Sequence, residues 1–369
     1  MMLVKLLSRI DRTRFQSSVI SLSSEVDLAE PIREACAEIE VLDVKPALSH
    51  AVSALSGVTR ALRRSRPDVV QTWLYHADLL GGLAARRLGL PVVWNVRTST
   101  LDPAGVGRRT SAVVSVCAWT SRFVPRVIVS CSNAAVDVHR KLGYADRFRV
   151  IPNGTDLEAF RPDPDARRAA RAEFGLDDST PVIGMVARFH PQKDYPNLLA
   201  AAGQLVRSHP QVRFVLCGRG LDATNVQLAS LLRANGVEDH VILTGLRRDI
   251  PRLLNAFDIH TLSSSFGEGF PNVVGEAMAT GVPCVVTDVG DSALIVGDTG
   301  ITVPPRDPAA LAQGWQRLLN MPRADLDLLR ARARQRIADE FSLGSVVARY
   351  ESLYEEVAAV RYPRGHPSK

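Results

Sequence analysis

Short runs of apolar, β-branched residues alternate with longer helical patterns along the whole chain. Runs of this kind, bounded by turn residues, indicate strands that are buried on both faces. Strands that alternate with helices predict parallel sheets covered by helices, and therefore an α/β fold. The predicted strands are residues 19–22, 68–72, 91–96, 126–130, 182–187, 214–217, 241–243, 259–262 and 283–287, and helical patterns occupy residues 3–10, 198–206, 223–235, 326–340 and 342–360.

The length of the chain, 369 residues, suggests two domains of ordinary size. Proline and glycine cluster at residues 151–156 and 160–165, and the helical pattern resumes only at Ala166. This stretch predicts a link between an N-terminal domain, residues 1–152, and a C-terminal domain, residues 153–341.

Positive charge is concentrated in the first part of the chain. Residues 1–150 contain 21 lysines and arginines against 13 acidic residues, whereas the remainder contains 24 against 26. No acidic residue lies between Asp102 and Asp137. Two interpretations stay open, peripheral contact with an anionic membrane or lipid phosphate and an ordinary solvated face. Aromatic residues make up 6% of the chain and no known nucleic-acid motif is present, so no nucleic-acid partner is expected. The arginines of the acid-free stretch are Arg108, Arg109, Arg122 and Arg126.

The cysteines and the hydropathy pattern are typical of a cytoplasmic protein. The five cysteines are odd in number, scattered and without a C-x-x-C pair, which predicts reduced thiols. No run of 18 uncharged apolar residues is present, so no membrane-spanning helix is expected. We expect a cytoplasmic location, with a peripheral position on the inner face of the plasma membrane as the alternative.

No metal site is expected. No group of histidine, cysteine and carboxylate residues has the spacing of metal ligands. The sequence Asp163-Pro-Asp165 resembles a metal-binding D-x-D motif, but it lies between prolines in the predicted link and is interpreted as a loop.

Two carboxylates, Glu268 and Glu276, flank a Gly-Phe-Pro-Asn turn that leads into a helix of small residues. Pro271 suits the first turn of that helix, where a missing N–H costs nothing. The amides of Asn272 and Val273 then lack a partner within the helix and form a phosphate-binding helix start. The arrangement suits a ligand with a diphosphate centre and hydroxyl groups at both ends, such as a nucleotide sugar.

The C-terminal half resembles the retaining glycosyltransferases of family 4, which have the GT-B fold. The resemblance is strong over about residues 145–345 and weaker over the N-terminal half, and it depends on several motifs in a fixed order. These are residues 150–156 (VIPNGTD), 184–194 (GMVARFHPQKD), 215–220 (VLCGRG), 242–245 (ILTG), 268–276 (EGFPNVVGE), 281–288 (GVPCVVTD) and 303–308 (VPPRDP).

The resemblance implies two Rossmann-like domains facing across a cleft, with the nucleotide sugar on the C-terminal domain and the acceptor on the N-terminal domain. The final helix, residues 342–360, is expected to cross back and complete the N-terminal domain. The chain departs from the family pattern at its start, because the pattern opens on a helix at residues 3–10 rather than on a strand with a glycine-rich loop. The first strand and its glycine-rich loop are therefore expected to be absent from this chain, either because the start site is misassigned or because the chain is a natural truncation.

The resemblance also assigns roles to the charged residues of the C-terminal domain. Arg188 and Lys193 follow a predicted strand and would neutralise the charge that grows on the leaving diphosphate. Glu268 would hold hydroxyl groups of the donor sugar, and Glu276 would bind the ribose hydroxyl groups.

The turn between the two glutamates would supply backbone contacts to the donor. Gly267 and Gly269 let the backbone approach a ligand closely. The donor site is completed by Phe270, Pro271, Asn272 and Val273, of which the last two offer their amides to the diphosphate.

Three residues of the N-terminal domain are candidates for the reacting end of the site. His76 lies between a predicted strand and a helix, where it would lie near the reacting sugar; a packing histidine is an equal alternative. Arg97 closes the next strand and could bind an acceptor phosphate. Asp78 could contact the acceptor or cap its helix, and the cap is favoured.

The expected activity is transfer of a hexose or N-acetylhexosamine to a lipid-linked or polysaccharide acceptor in cell-surface glycan synthesis, including lipopolysaccharide. The donor is a substrate, so no cofactor and no metal are expected. Two alternatives remain, a GT-B nucleotide-sugar epimerase and a non-catalytic or truncated nucleotide-sugar-binding protein. The chain does not resemble a dinucleotide-dependent oxidoreductase, because no G-x-G-x-x-G sequence lies between an early strand and the helix that follows it.

Overall fold

A computed structural model describes residues 2–23, 29–35, 38–44, 51–99 and 107–359. The chain divides into two compact units, the N-terminal unit (Met1–Gly154 with Leu343–Lys369) and the C-terminal unit (Thr155–Ser342). The first boundary, between Gly154 and Thr155, lies in the stretch 151–156 in which proline and glycine cluster, and the second lies between Ser342 and Leu343.

Among its described residues, the N-terminal unit contains two parallel sheets. The first strands, β1 (Ser18–Ser21) and β2 (Glu38–Val41), pair with each other. The second sheet has the order β3-β4-β5-β6. Its strands are β3 (Val70–Gln71), β4 (Val92–Val96), β5 (Val127–Ser130) and β6 (Phe148–Val150), and the helices of this unit are α1 (Met2–Arg9), α2 (Ala29–Glu34), α3 (Ala51–Ser65), α4 (Tyr75–Arg87), α5 (Arg108–Thr120), α6 (Asn133–Lys141) and α15 (Leu343–Ala359).

The central strands of the second sheet are buried on both faces because successive side chains point to opposite sides. Trp94 packs into the core formed with α3, α4 and α5. Val93 and Val129 pack on the other face, against α1 and α15. The final helix α15 therefore belongs to the N-terminal unit, with Val346 and Tyr350 completely buried in that core.

The C-terminal unit has one six-stranded parallel sheet of order β12-β11-β10-β7-β8-β9. Strands alternate with helices along the chain and the sheets are parallel, which confirms the predicted α/β fold class. The strands of this unit are β7 (Val182–Val186), β8 (Arg213–Cys217), β9 (Val241–Gly245), β10 (Ile259–Leu262), β11 (Cys284–Thr287) and β12 (Ile301–Val303), and its helices are α7 (Pro164–Glu173), α8 (Tyr195–Val206), α9 (Val226–Asn235), α10 (Ile250–Asn255), α11 (Asn272–Ala279), α12 (Ser292–Val296), α13 (Pro308–Leu319) and α14 (Arg323–Glu340).

Several element starts differ from the sequence prediction, and capping side chains account for two of them. The Asp163-Pro-Asp165 stretch is not a loop: the Asp163 carboxylate accepts the amides of Asp165 and Ala166 and begins α7 at Pro164. Helix α9 begins at Val226 rather than 223 because the Asn225 side chain caps it. Helix α14 begins at Arg323, directly after Pro322, rather than at 326.

The cysteines that the structure describes are all buried and free, as expected for reduced thiols. Cys36 lies outside the described residues. Within the described ranges, no helix is long and apolar enough to cross a bilayer.

Candidate functional site

The sheet of the C-terminal unit reverses its strand order beside its first strand. β7 has β8 on one side and β10 on the other, so the chain after β7 and the chain after β10 leave the sheet next to each other. In open parallel sheets, ligands bind at the carboxyl ends of the strands at such a switch point. Arg188 and Lys193 follow β7, and Glu268 follows β10. The fold therefore brings together three residues that are up to 80 positions apart.

Lys193 and Glu268 form a nearly buried ion pair. Lys193 Nζ lies 2.5 Å from Glu268 Oε1, and the two side chains are 14% and 8% exposed. The Ser264 hydroxyl donates to the same carboxylate oxygen at 2.5 Å. The Ser263 hydroxyl donates to the carbonyl of Lys193 at 2.7 Å. The two charges that the sequence analysis assigned to phosphate and sugar thus hold each other in a fixed position.

Gln192 connects the other predicted cation to the same loop. Its side-chain oxygen accepts from Arg188 Nη2 at 3.3 Å, and its Nε2 donates to the carbonyl of Gly267 at 2.8 Å. Its own carbonyl accepts the amide of Ser265 at 2.9 Å. Arg188 itself is exposed, so its guanidinium is accessible to a ligand. Sequence reasoning missed Gln192, although its place between the two cations was a signal.

The loop that carries Glu268 is supported from the far side by the chain after β11. The Thr287 hydroxyl donates to the carbonyl of Ser264 at 2.6 Å, and the Asp291 amide donates to the carbonyl of Gly269 at 2.9 Å. Gly290 has φ of 62°, and a Cβ there would lie 2.2 Å from the carbonyl oxygen of Glu268. Only glycine allows the two segments to approach this closely.

The turn before α11 differs in detail from the prediction. Pro271 is the N-cap and not part of the first turn, because its ψ of 103° is extended. Asn272 and Val273 are then the first two helical residues, and no side chain caps them. Glu276 lies one turn further along and is half-buried. The Phe270 ring is buried in the core, 5.4 Å between centroids from Phe341, so only its backbone is left for a ligand.

Gly267 needs the conformational freedom of glycine, because its φ is 75°. Gly269 contributes the carbonyl that accepts the Asp291 amide. The two glycines therefore shape the turn whether or not a ligand is bound.

His260, in the centre of β10, is a buried titratable group that the sequence analysis did not single out. The residue is completely buried, and its Nε2 has no hydrogen-bond partner among the described residues. Burial, followed by the charge of Lys193, lowers the pKa of His260 to about 3. The imidazole is therefore neutral at the pH of a cell.

We expect the buried imidazole of His260 to make the C-terminal unit acid-sensitive. Its pKa is about 3 when folded and 6.5 when exposed. Above the unfolded pKa both states hold a neutral imidazole. As the pH falls below it, the unfolded state binds a proton that the folded state excludes, and the free energy of unfolding falls by about 2 kcal/mol between pH 7 and pH 5. Urea unfolding at both pH values should show that loss in the native chain and a smaller one in His260→Leu. Equal losses in the two proteins would contradict the assignment.

Two of the candidate residues in the N-terminal unit, His76 and Arg97, come after strands of its second sheet. His76 is the second residue of α4 and is exposed. Leu74, two residues earlier, has φ of 71°, a costly conformation that clusters at functional sites. Arg97 follows β4; it donates to the side-chain oxygens of Asn95 and Asn153, and its guanidinium lies 5.2 Å from the ring of Trp73.

The structure corrects the interpretation of Asp78. Leu74, not Asp78, is the N-cap of α4, and no side chain caps that helix. Asp78 is completely buried and accepts a hydrogen bond from the Thr72 hydroxyl. Burial raises its pKa to about 8, against the effect of that hydrogen bond and of one from the Asn95 amide. The carboxyl group thus joins the ends of two strands beneath the surface, where an acceptor does not reach it.

No group of three or more histidine, cysteine, aspartate or glutamate side chains is placed to hold a metal ion within the parts of the chain that the structure describes.

Two family models match the chain. The model described as Glycosyltransferase Family 4 matches residues 2–159, and the model described as Glycosyl transferases group 1 matches residues 180–321. The second match contains the Arg188, Lys193, Glu268 and Glu276 cluster.

Individual proteins of known function are similar over nearly the whole chain. The UDP-Gal:alpha-D-GlcNAc-diphosphoundecaprenol alpha-1,3-galactosyltransferase of Escherichia coli is 26% identical over an alignment of 379 positions, gaps included, that covers 95% of each chain. The alpha-D-kanosaminyltransferase of Streptomyces kanamyceticus is 28% identical over an alignment of 330 positions, gaps included, that covers 83% of each chain. The crystal structure of Anabaena HepE in complex with UDP has a TM-score of 0.83 at 21% identity and covers 96% of this chain and 95% of that one. The fold is therefore that of the GT-B glycosyltransferases, and the chain, most of which the two family models match, belongs to the family 4 glycosyltransferases.

Proposed function

We propose that this glycosyltransferase moves a hexose or an N-acetylhexosamine from a nucleotide diphosphate sugar to a lipid-linked or polysaccharide acceptor, with retention of configuration at the anomeric carbon. The observation that carries the proposal is the cluster of Arg188, Lys193 and Glu268 at the switch point of the sheet, together with the start of α11 four residues after Glu268, which no side chain caps. Cations, a helix start and a carboxylate are the groups that a diphosphate joined to a sugar requires.

The donor fits this cluster in one direction. The diphosphate lies against the amides of Asn272 and Val273 and between the two cations, which places the sugar toward Glu268 and the ribose toward Glu276. Without donor, the carboxylate of Glu268 neutralises Lys193. When the diphosphate arrives, it provides Lys193 with a second anion, and the carboxylate becomes available to sugar hydroxyl groups.

The chemical step needs no protein nucleophile. The acceptor oxygen attacks the anomeric carbon on the face from which the diphosphate leaves, the bond from that carbon to the phosphate oxygen breaks, and a phosphate oxygen takes the acceptor proton. Arg188 and Lys193 stabilise the charge on the leaving diphosphate, which is the task that a metal ion performs in other transferases. Proton NMR of the product should show the anomeric configuration of the donor, and activity should be unchanged by EDTA.

The acceptor is proposed from the relatives. One relative is named for transfer to a diphosphoundecaprenol-linked sugar. We propose an acceptor of that class, a glycan carried on a lipid diphosphate at the cytoplasmic face of the membrane. His76 and Arg97, which follow two strands of the N-terminal unit, are the candidates to contact it. Glycerolipid or free oligosaccharide acceptors that support faster transfer would contradict this choice.

Binding of nucleotide diphosphates tests the donor assignment first. UDP, GDP and ADP are added to separate samples, with the monophosphate CMP in a fourth for comparison, and the melting temperature of the protein is measured. A ligand that binds only the folded state raises the melting temperature by mass action. A shift with one nucleoside diphosphate supports the proposal and identifies the base. No shift with any of them contradicts it.

We expect Glu276→Ala to weaken binding of that nucleotide by about 10- to 100-fold, because a hydrogen bond from a ligand to a charged group contributes roughly 1.5–3 kcal/mol. The matched control is Glu238→Ala, which changes an exposed glutamate in the turn before β9, at the opposite edge of the sheet. Isothermal titration of the native chain and both variants gives the affinities. Unchanged affinity in Glu276→Ala would exclude its ribose contact.

A further inference from the structure

The exposed face of α5 carries a stripe of apolar side chains. Ala112, Val116, Trp119 and Phe123 recur every three or four residues, so they lie along one side of the helix and of the turn that follows it. Trp119 is 61% exposed, and its ring lies edge-on to that of Phe123 with centroids 5.0 Å apart. A continuous stripe of this kind is costly in water and marks an interaction surface.

The helices that pack beside α5 in the N-terminal unit are strongly basic. α4 packs between α3 and α5, so the three helices form one continuous surface layer. They contain only one carboxylate, Asp78, which is completely buried and whose pKa is raised by that burial. Exposed Arg122 follows directly after α5. The exposed arginines within the three helices are Arg60, Arg63, Arg64, Arg86, Arg87 and Arg109.

We propose that this face, the α5 stripe together with the arginines of α3, α4 and α5, docks onto an anionic lipid bilayer. Tryptophan and phenylalanine side chains enter the headgroup region of a bilayer, where an apolar ring with a polar edge is favoured. Arginines beside them are attracted to anionic headgroups, whose potential falls off within a few ångströms to a nanometre of the surface. The inference extends the proposed function, because a lipid-linked acceptor would be presented at that surface.

A bilayer fits this face better than a nucleic acid or a protein does. The apolar residues form a single line with the charges distributed beside it, which is the pattern of a helix that lies in the plane of a membrane. Proteins that bind single-stranded nucleic acid instead place their aromatic rings within a basic groove. A protein partner would need acidic residues opposite at least seven arginines. The surface of an anionic bilayer carries negative charge at every position, so it needs no such match.

The test uses the full chain and vesicles of phosphatidylcholine with or without phosphatidylglycerol. We expect the protein to sediment with the anionic vesicles and not with the neutral ones, and to be released by high salt. Trp119→Ser should weaken the binding about tenfold, since it removes one large apolar side chain from the contact. The control Leu328→Ser changes a residue of equal exposure, 60%, in the C-terminal unit and should leave the binding unchanged.

Brominated lipids provide a second readout that does not depend on affinity. Trp94 and Trp315 are completely buried and Trp73 is half-buried, so the quenching of tryptophan fluorescence by bromine in the acyl chains that is lost in Trp119→Phe should report on Trp119. No sedimentation with anionic vesicles, equal sedimentation with neutral ones, or tighter binding to duplex DNA than to vesicles would each overturn the proposal. The nucleotide-dependent melting shift, measured on the same samples, reports separately on the donor site, so failure of one proposal is distinguishable from failure of the other.

Discussion

Lys193→Ala is expected to lower kcat by roughly 10²- to 10³-fold at saturating donor, the loss that follows removal of one group aimed at developing charge. The ammonium group lies on the nearly buried side of the cluster, where few other groups can replace it. Negative charge on the diphosphate grows as the bond to the sugar breaks, so the cation stabilises the transition state more than the bound donor. The nucleotide affinity should therefore change much less than kcat.

The experiment measures initial rates of sugar transfer together with the nucleotide affinity. Removal of Lys193 also leaves the carboxylate of Glu268 buried without its cation, so part of the loss acts through that residue. A double-mutant cycle separates the two effects: residues that act as a unit give a Lys193→Ala/Glu268→Gln protein barely slower than either single variant. Losses that multiply would show that the two residues act independently, and an unchanged kcat in Lys193→Ala would remove the residue from the proposed mechanism.

The central strands could all be predicted from the sequence, whereas three of the six edge strands could not. Residues 182–187 and 283–287 are continuous apolar runs because both faces of those strands are covered. The three strands that were missed are all at sheet edges: β2 contains two glutamates, β6 contains an arginine, and β12 is three residues long. An edge strand is covered less completely, so burial imposes a weaker pattern on its sequence.

The charged residues of the site could be located because each follows a predicted strand or a recognisable turn. Their mutual arrangement could not, since Lys193 and Glu268 meet across 75 positions. Gln192 and Ser264 were missed for the same reason: their hydrogen bonds reach Gly267 and Glu268 only after the sheet has brought two loops together. The interpretation of Asp78 as a helix cap was wrong for a similar reason. Aspartate can cap a helix or form a buried hydrogen bond between strand ends, and the sequence alone does not distinguish the two roles.

Gly290→Ala is expected to disturb the site strongly, although it removes no side-chain function. A Cβ at this position would lie 2.2 Å from the carbonyl oxygen of Glu268, and the residue has φ of 62°. The loop must move by about 1 Å to relieve the contact, and a displacement of that size can cost about 10²-fold in rate. Strain in φ and the forced displacement together should lower the stability by roughly 3 kcal/mol.

Gly236→Ala is the matched control for that prediction. Gly236, which follows α9, also has φ of 62°, but a Cβ there has no atom within 4 Å. It should therefore lose only the roughly 1 kcal/mol that a left-handed conformation costs alanine, with no change in transfer rate. Unfolding in urea and initial transfer rates for both variants separate strain in the backbone from displacement of Glu268. If the two variants lose equal stability and keep equal rates, close packing against Gly290 does not position the carboxylate, and Glu268 is held by Ser264 and Lys193 alone.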